Sequence, residues 1–155
     1  MSGSTESSGS STPPGHIRVL HVDDEAPLLD LTADFLETMD DRMVVRSESD
    51  PRAVPELLET EPVDCVVTDR QMPQWDGLEL CRWIGEEHPD LPVVVFTSDR
   101  EHGVVDLAME AGASAYVAKE PGVEQYEVLT GCIRDTVRDG RREESKRIGG
   151  SGSTA

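Results

Sequence analysis

Four groups of chemically capable residues stand in order along the chain, each at the end of an apolar run. Asp23-Asp24 follows Ile17-Val22, Asp69 follows Val63-Thr68, Thr97 closes Pro92-Phe96, and Lys119 follows Ala115-Ala118. If these runs are parallel strands, all four groups reach the carboxyl edge of one sheet, the crevice in which open α/β sheets bind ligands. That edge would gather three carboxylates, a hydroxyl and an ammonium. Carboxylates alone would repel: two unit charges about 4 Å apart cost roughly 4 kcal/mol at an effective dielectric near 20. The cluster therefore implies a bound cation. Carboxylates projecting from Asp23 and Asp24 suit Mg²⁺, which takes a few carboxylates together with waters and a phosphate oxygen. The added Lys and Thr imply an anionic group beside the metal, best read as a phosphoryl group.

The residues differ in how much each says alone. Asp69 ends an apolar strand and precedes Arg70-Gln71-Met72-Pro73, a turn that cannot continue as helix. A carboxylate in a metal-neutralised crevice can act as a nucleophile towards phosphorus. Lys119 is one of only two Lys in a chain whose 14 cationic side chains are otherwise Arg, so its place suggests a need for a compact point charge. Thr97 alone says no more than strand propensity would. Asp23-Asp24 alone is also what a helix cap with a dipole-friendly acid supplies. Tyr116 should share a sheet face with Ala118, opposite Val117, where a half-buried core aromatic is an equal reading. His16, His21, His88 and His102 have no catalytic or metal-binding spacing. His21, inside the first strand, reads as a core histidine rather than a phosphoacceptor.

The elements that must position these residues alternate in type. Asp24 is expected to cap a helix carrying Leu28, Leu29, Leu31, Phe35 and Leu36. Met43-Arg46 reads as a weaker strand, and Asp50-Pro51 as the start of a second helix. Asp76-Gly77 opens a third helix with Leu78, Leu80, Cys81, Trp83 and Ile84. Val104-Ala111 forms a fourth, with Gly112 as its natural cap. Val123 to about Val137 forms the last, with Tyr126, Leu129, Ile133 and Val137 at helical spacing. Val63-Thr68, apart from Asp64, and Pro92-Phe96 run apolar, as when both sheet faces are covered. Five strands alternating with five helices argue a parallel, doubly wound sheet. Residues 1–16 are Ser/Gly/Thr-rich and expected to be disordered. From about Gly140 the apolar period is lost, so 140–155 is expected to be a fraying helix that runs into disorder.

A chain of 155 residues fits one domain with a real core. With 14 Lys+Arg against 32 Asp+Glu, its net charge is 14 − 32 = −18. So acidic a surface disfavours direct nucleic-acid binding and docking on anionic membranes. Together with the scarcity of Lys, it points to a salt-rich cytoplasm, where screening relieves self-repulsion. Cys65, Cys81 and Cys132 have no metal-ligand spacing and read as reduced thiols, with Cys65 buried in a strand. Neither a membrane-spanning run nor a secretory signal is visible, so the expected location is cytoplasmic.

With its residues so placed, the chain resembles the receiver domain of two-component response regulators over about residues 17–139. The segments HVDDE (21–25), VVTDRQMPQWDG (66–77), VVVFTSD (93–99) and AGASAYVAK (111–119) match that family's pattern in order and spacing. The resemblance implies a flavodoxin-like (βα)5 fold with strand order 2-1-3-4-5. It implies that Asp69 is the phosphoacceptor, served by a histidine kinase or phosphotransfer protein. Asp24 and Asp69 would bind Mg²⁺ through side chains, Gln71 through its backbone carbonyl and Asp23 through water. Lys119 would pair with the phosphoryl oxygens, Thr97 would bond to them after phosphorylation, and Tyr116 would be the rotameric switch. The implied protein is a stand-alone signalling receiver read by a downstream protein through the fourth helix, fifth strand and last helix. It would be no enzyme beyond slow autodephosphorylation. Two rivals are a phosphohydrolase of similar fold with an Asp nucleophile and a non-phosphorylated pseudo-receiver. The first usually has a second acid two residues after the nucleophile, where Gln71 stands; the intact Asp, Thr and Lys set argues against the second. Two departures matter. The family usually places Pro directly after the Lys, and here Glu120 precedes Pro121. Gln71 and Asp99 stand at positions that vary in the family and, by the resemblance, tune how long the phosphoryl group lasts.

Overall fold

The computed structural model describes residues 15–99 and 102–154, with side chains to Gly140. Most of the expected N-terminal tail, residues 1–14, lies outside the described residues. In chain order the elements are β1 (Ile17–Val22), α1 (Ala26–Met39), β2 (Met43–Glu48), α2 (Val54–Thr60), β3 (Cys65–Thr68), α3 (Gly77–Glu87), β4 (Val93–Thr97), α4 (Val104–Glu110), β5 (Ala115–Ala118) and α5 (Glu124–Thr154). The strands form one sheet in the order β2-β1-β3-β4-β5, and every neighbouring pair is parallel. This is the doubly wound, flavodoxin-like (βα)5 topology.

Side-chain alternation divides the apolar residues between two cores. On one face Leu20, Val22, Val66, Val93 and Val95 pack with Val54 of α2, Leu80 and Ile84 of α3 and Ala108 of α4. On the other, Val19, Cys65, Val67, Val94, Phe96 and Val117 pack with Leu36 of α1 and Tyr126, Leu129 and Ile133 of α5. Every residue of β3 and β4 is buried, which is why their sequences run without polar alternation. Tyr116 packs on the first core and Val117 in the second, as strand alternation requires. Among the described residues the three cysteines are free. Burial pushes the Cys65 thiol up to about 12 and the Cys81 thiol up to about 11, which leaves both unreactive.

Helix ends explain where the expected elements differ. Asp76 caps α3 by accepting from Leu78 N at 2.8 Å. Asp50 accepts from Arg52 N at 2.9 Å, but the turn it caps is a 3-10 turn over Pro51–Ala53 that leads into α2. Gly112 follows α4 with φ 106°. Its N–H reaches Met109 O, and the next N–H, of Ala113, reaches Ala108 O, both at 3.0 Å; glycine meets the left-handed turn at no steric cost. Asp24 does not cap α1. The helix starts later, with Glu25 at the cap and Pro27 in the first turn, where a missing N–H loses nothing. The Asp24 carboxylate is thereby left exposed. The backbone of α5 continues to Thr154, past the fraying expected from about Gly140. Arg141-Arg142-Glu143-Glu144 and Lys146-Arg147 are good helix formers even without an apolar face.

Candidate functional site: a charged crevice at the carboxyl edge

The strand ladder itself delivers the site residues. One position beyond each strand, the backbone makes a further bond of sheet type: Asp23 N to Glu48 O at 3.1 Å, Asp69 N to Val22 O at 3.2 Å, and Lys119 N to Thr97 O at 2.9 Å. Asp23, Asp69 and Lys119 therefore leave the sheet side by side at its carboxyl edge, with Thr97 ending β4 between β3 and β5. Carboxylate oxygens of Asp23, Asp24 and Asp69 lie within 4.8 Å of one another. Asp23 is fully buried, Asp69 and Thr97 are nearly so, and Asp24 opens to solvent.

Lys119 is the cation of this cluster. Its Nζ donates to Asp23 Oδ2 at 2.7 Å and to Asp69 Oδ2 at 2.9 Å, and lies 5.6 Å from the centre of the Phe96 ring. Burial alone would lower its pKa, but the two carboxylates outweigh burial and the net shift is upward. Lys119 is thus firmly protonated. Asp23 behaves oppositely: burial pushes its pKa up, and Lys119 and the Glu25 N–H pull it only partly back. One ammonium does not neutralise three carboxylates. Hard oxygen donors in such a group can coordinate a hard divalent cation.

The Asp69 carboxylate is fixed on both oxygens, Oδ1 accepting from Arg70 N at 2.6 Å and Oδ2 from Lys119. Its backbone is fixed by Gly77. A Cβ built there would stand 1.9 Å from Asp69 O, and Gly77 N donates to Arg70 O at 2.6 Å. Only glycine lets α3 start this close to the residue it supports. The DG turn was legible as a helix start, but its contact with Asp69 was not.

The remaining expected residues lie around the crevice. Thr97 Oγ1 accepts from Asp99 N at 3.2 Å. The half-buried Tyr116 donates its hydroxyl to Asp99 O at 2.7 Å. Gln71 is exposed in the loop after Asp69. His21 is fully buried in β1 beside Phe96, with ring centres 6.3 Å apart. Burial, then the charge of Lys119, drives its pKa down to about 3, so it is a neutral core residue. Glu120, in the position the family gives to Pro, is anchored through its backbone: its N–H donates to Gln125 Oε1 at 3.1 Å, and Gln125 Nε2 donates to Gly122 O at 2.8 Å. An ion pair between Arg70 and Asp99 was not legible in the sequence. It joins two loops whose approach depends on the neighbouring positions of β3 and β4.

Comparison with known proteins meets this geometry. The sequence profile of the response regulator receiver domain matches residues 19–128. The chain is 34% identical over 131 residues to the protein-glutamate methylesterase/protein-glutamine glutaminase of group 3 operon of Bradyrhizobium diazoefficiens, an alignment covering 81% of this chain and 36% of that one. It is 31% identical over 136 residues to the protein-glutamate methylesterase/protein-glutamine glutaminase of Chromohalobacter salexigens, covering 85% and 38%. The chain thus spans little more than a third of the length of these relatives. Among solved structures, the response regulator domain of Thermotoga maritima CheB superposes with a TM-score of 0.69 at 28% identity, covering 79% of this chain and 97% of that one. A CheY-like receiver domain protein from Methanospirillum hungatei superposes at 0.73 with 22% identity, covering 83% and 99%, a likeness of fold.

Proposed function

Since the chain belongs to the response regulator receiver domain family, we propose that Asp69 accepts a phosphoryl group from a phosphohistidine of a partner histidine kinase or phosphotransfer protein. A carboxylate oxygen of Asp69 forms the new P–O bond as the donor's P–N bond breaks, and the imidazole takes up a proton. The observation that carries this reading is the Asp69 carboxylate, held on both oxygens beside Lys119 and within 4.8 Å of Asp23 and Asp24. Fixed donors aimed at developing charge are the main source of catalysis in such transfers. Asp23, Asp24, Asp69 and the Gln71 carbonyl are the proposed Mg²⁺ ligands; bound there, the ion would neutralise charge on the transferred group. Lys119 would hold the phosphoryl oxygens, and Thr97 would turn its hydroxyl from Asp99 N towards them.

The same rearrangement would reach the surface through Tyr116, whose hydroxyl already ties β5 to Asp99. A downstream protein is proposed to read α4, β5 and α5. Exposed apolar side chains stand there: Val105 and Met109 on α4, and Val123 and Val128 where α5 begins. Among the described residues no helix is long and apolar enough to cross a membrane. The net charge of −18 fits a salt-rich solvent, and Tm is expected to rise with KCl as screening grows; a flat response would remove that part of the reading.

Acetyl phosphate with Mg²⁺ tests the assignment. Intact mass should show one added phosphoryl group, lost on hydroxylamine treatment, and none on Asp69→Asn. Equal labelling of wild type and Asp69→Asn would overturn it.

A further inference from the structure

Asp99 is a meeting point of ties at the mouth of the Asp69 crevice. Its carboxylate pairs with the Arg70 guanidinium. Its N–H donates to Thr97 Oγ1 at 3.2 Å, and its carbonyl accepts from the Tyr116 hydroxyl at 2.7 Å. The ion pair is no loose surface contact: the two side chains are 15% and 9% exposed. It joins the residue directly after Asp69 to the segment that follows β4. Arg70 is itself tied to Asp69 through its backbone N–H.

A phosphoryl group on Asp69 would bring two negative charges and three acceptor oxygens next to Arg70. The planar guanidinium fork binds phosphate bidentately, through strong charge-assisted bonds. Thr97 Oγ1 would be drawn to the same group. One event would therefore remove both the Arg70 and the Thr97 ties on Asp99.

We propose that Arg70 and Asp99 form an ionic latch. Arg70 holds Asp99 while Asp69 is a free carboxylate, and passes to the phosphoryl group once Asp69 carries one, releasing the Asp99 side chain. This inference rests on the phosphoacceptor reading of Asp69. The latch sets how far phosphorylation shifts the population towards the released form, because the phosphoryl group must first win Arg70 from Asp99.

Binding of beryllofluoride with Mg²⁺ tests it, measured for wild type, Arg70→Met, Asp99→Asn and the double variant. At roughly 1 M salt the Debye length is about 3 Å, so through-space charge effects are small. Asp99→Asn should bind at least about fivefold more tightly and Arg70→Met at least about fivefold more weakly, about fivefold being the upper end for a fully exposed ion pair. In the Arg70→Met background the gain from Asp99→Asn should vanish, since no guanidinium remains to be released. Beryllofluoride should also speed amide exchange at Asp99 in wild type, while Asp99→Asn exchanges fast without it. A second cycle with Arg70→Gln and Asp99→Ala guards against a variant that misfolds. Affinities that move in the same direction, or a gain that survives without Arg70, would overturn the latch and leave the phosphoacceptor reading standing. Wild type that binds no beryllofluoride would overturn both.

Discussion

At the amino end of the sheet, Asp40 accepts four hydrogen bonds from arginines: three from Arg42, at 3.0, 3.1 and 2.9 Å, and one from Arg134 at 3.2 Å. The Arg42 contacts hold its carboxyl well below the usual carboxylate range despite burial. Asp64, at the same end, accepts from Arg18 N at 2.8 Å and pairs with its guanidinium at 3.6 Å. At the carboxyl end, Asp23 is buried more deeply still; burial pushes its pKa up, and the Lys119 it shares with Asp69 pulls it only partly back. The same sheet satisfies its acids at one end and crowds them at the other. Matched charge at the amino end stabilises the folded chain. Unmatched charge at the carboxyl end costs stability and is the physical mark of a cluster able to coordinate a cation.

The sharpest way to break this contrast is to disturb the backbone under the crowded end. Gly77→Ala would set a methyl group against Asp69 O at 1.9 Å. It should destabilise the chain by about 3 kcal/mol. It should also slow acetyl phosphate labelling by about a hundredfold, as a displaced nucleophile does. Chemical denaturation and intact mass check the two effects; an unchanged midpoint and rate would remove Gly77 from the site.

Removing a satisfied acid should act on stability alone. Asp40→Asn should cost about 1–3 kcal/mol at neutral pH, because it strips charged hydrogen bonds from a buried carboxylate, and should leave labelling of Asp69 intact. The effect has a definite sign with pH. The folded-state pKa of Asp40 is depressed, so its contribution is fully present above the unfolded value near ~3.9 and is lost as pH falls through the lower folded value. The stability gap between wild type and Asp40→Asn should therefore close in acid. A gap independent of pH would show that Asp40 is not held as described.

Much of this was legible in the chain because the site sits where strands end. Continuous apolar runs marked β3 and β4, and each was followed by a residue of the wrong polarity for a core. With the runs parallel, Asp23, Asp24, Asp69, Thr97 and Lys119 have to reach one edge. Features that depend on which loops meet in space were hidden. The Arg70–Asp99 pair spans 29 positions and the Arg134–Asp40 contact 94, and no local pattern announces either. Asp24 misled as a cap because its residue type suits both roles. The later helix start, set by Glu25 and Pro27, decided between them. The continuation of α5 was hidden for a different reason: its final turns lack the apolar period on which helix boundaries are read.

The smallest expected effect bears most directly on the crowding at the carboxyl edge. Tm should be measured with and without Mg²⁺ for wild type and Asp24→Asn. Without metal, Asp24→Asn should melt about 1–2 °C higher than wild type, because one of three mutually repelling carboxylates is gone. With Mg²⁺, wild type should rise by mass action on the folded state and the variant should respond little. A variant that melts no higher than wild type without metal, and rises equally with it, would contradict the account.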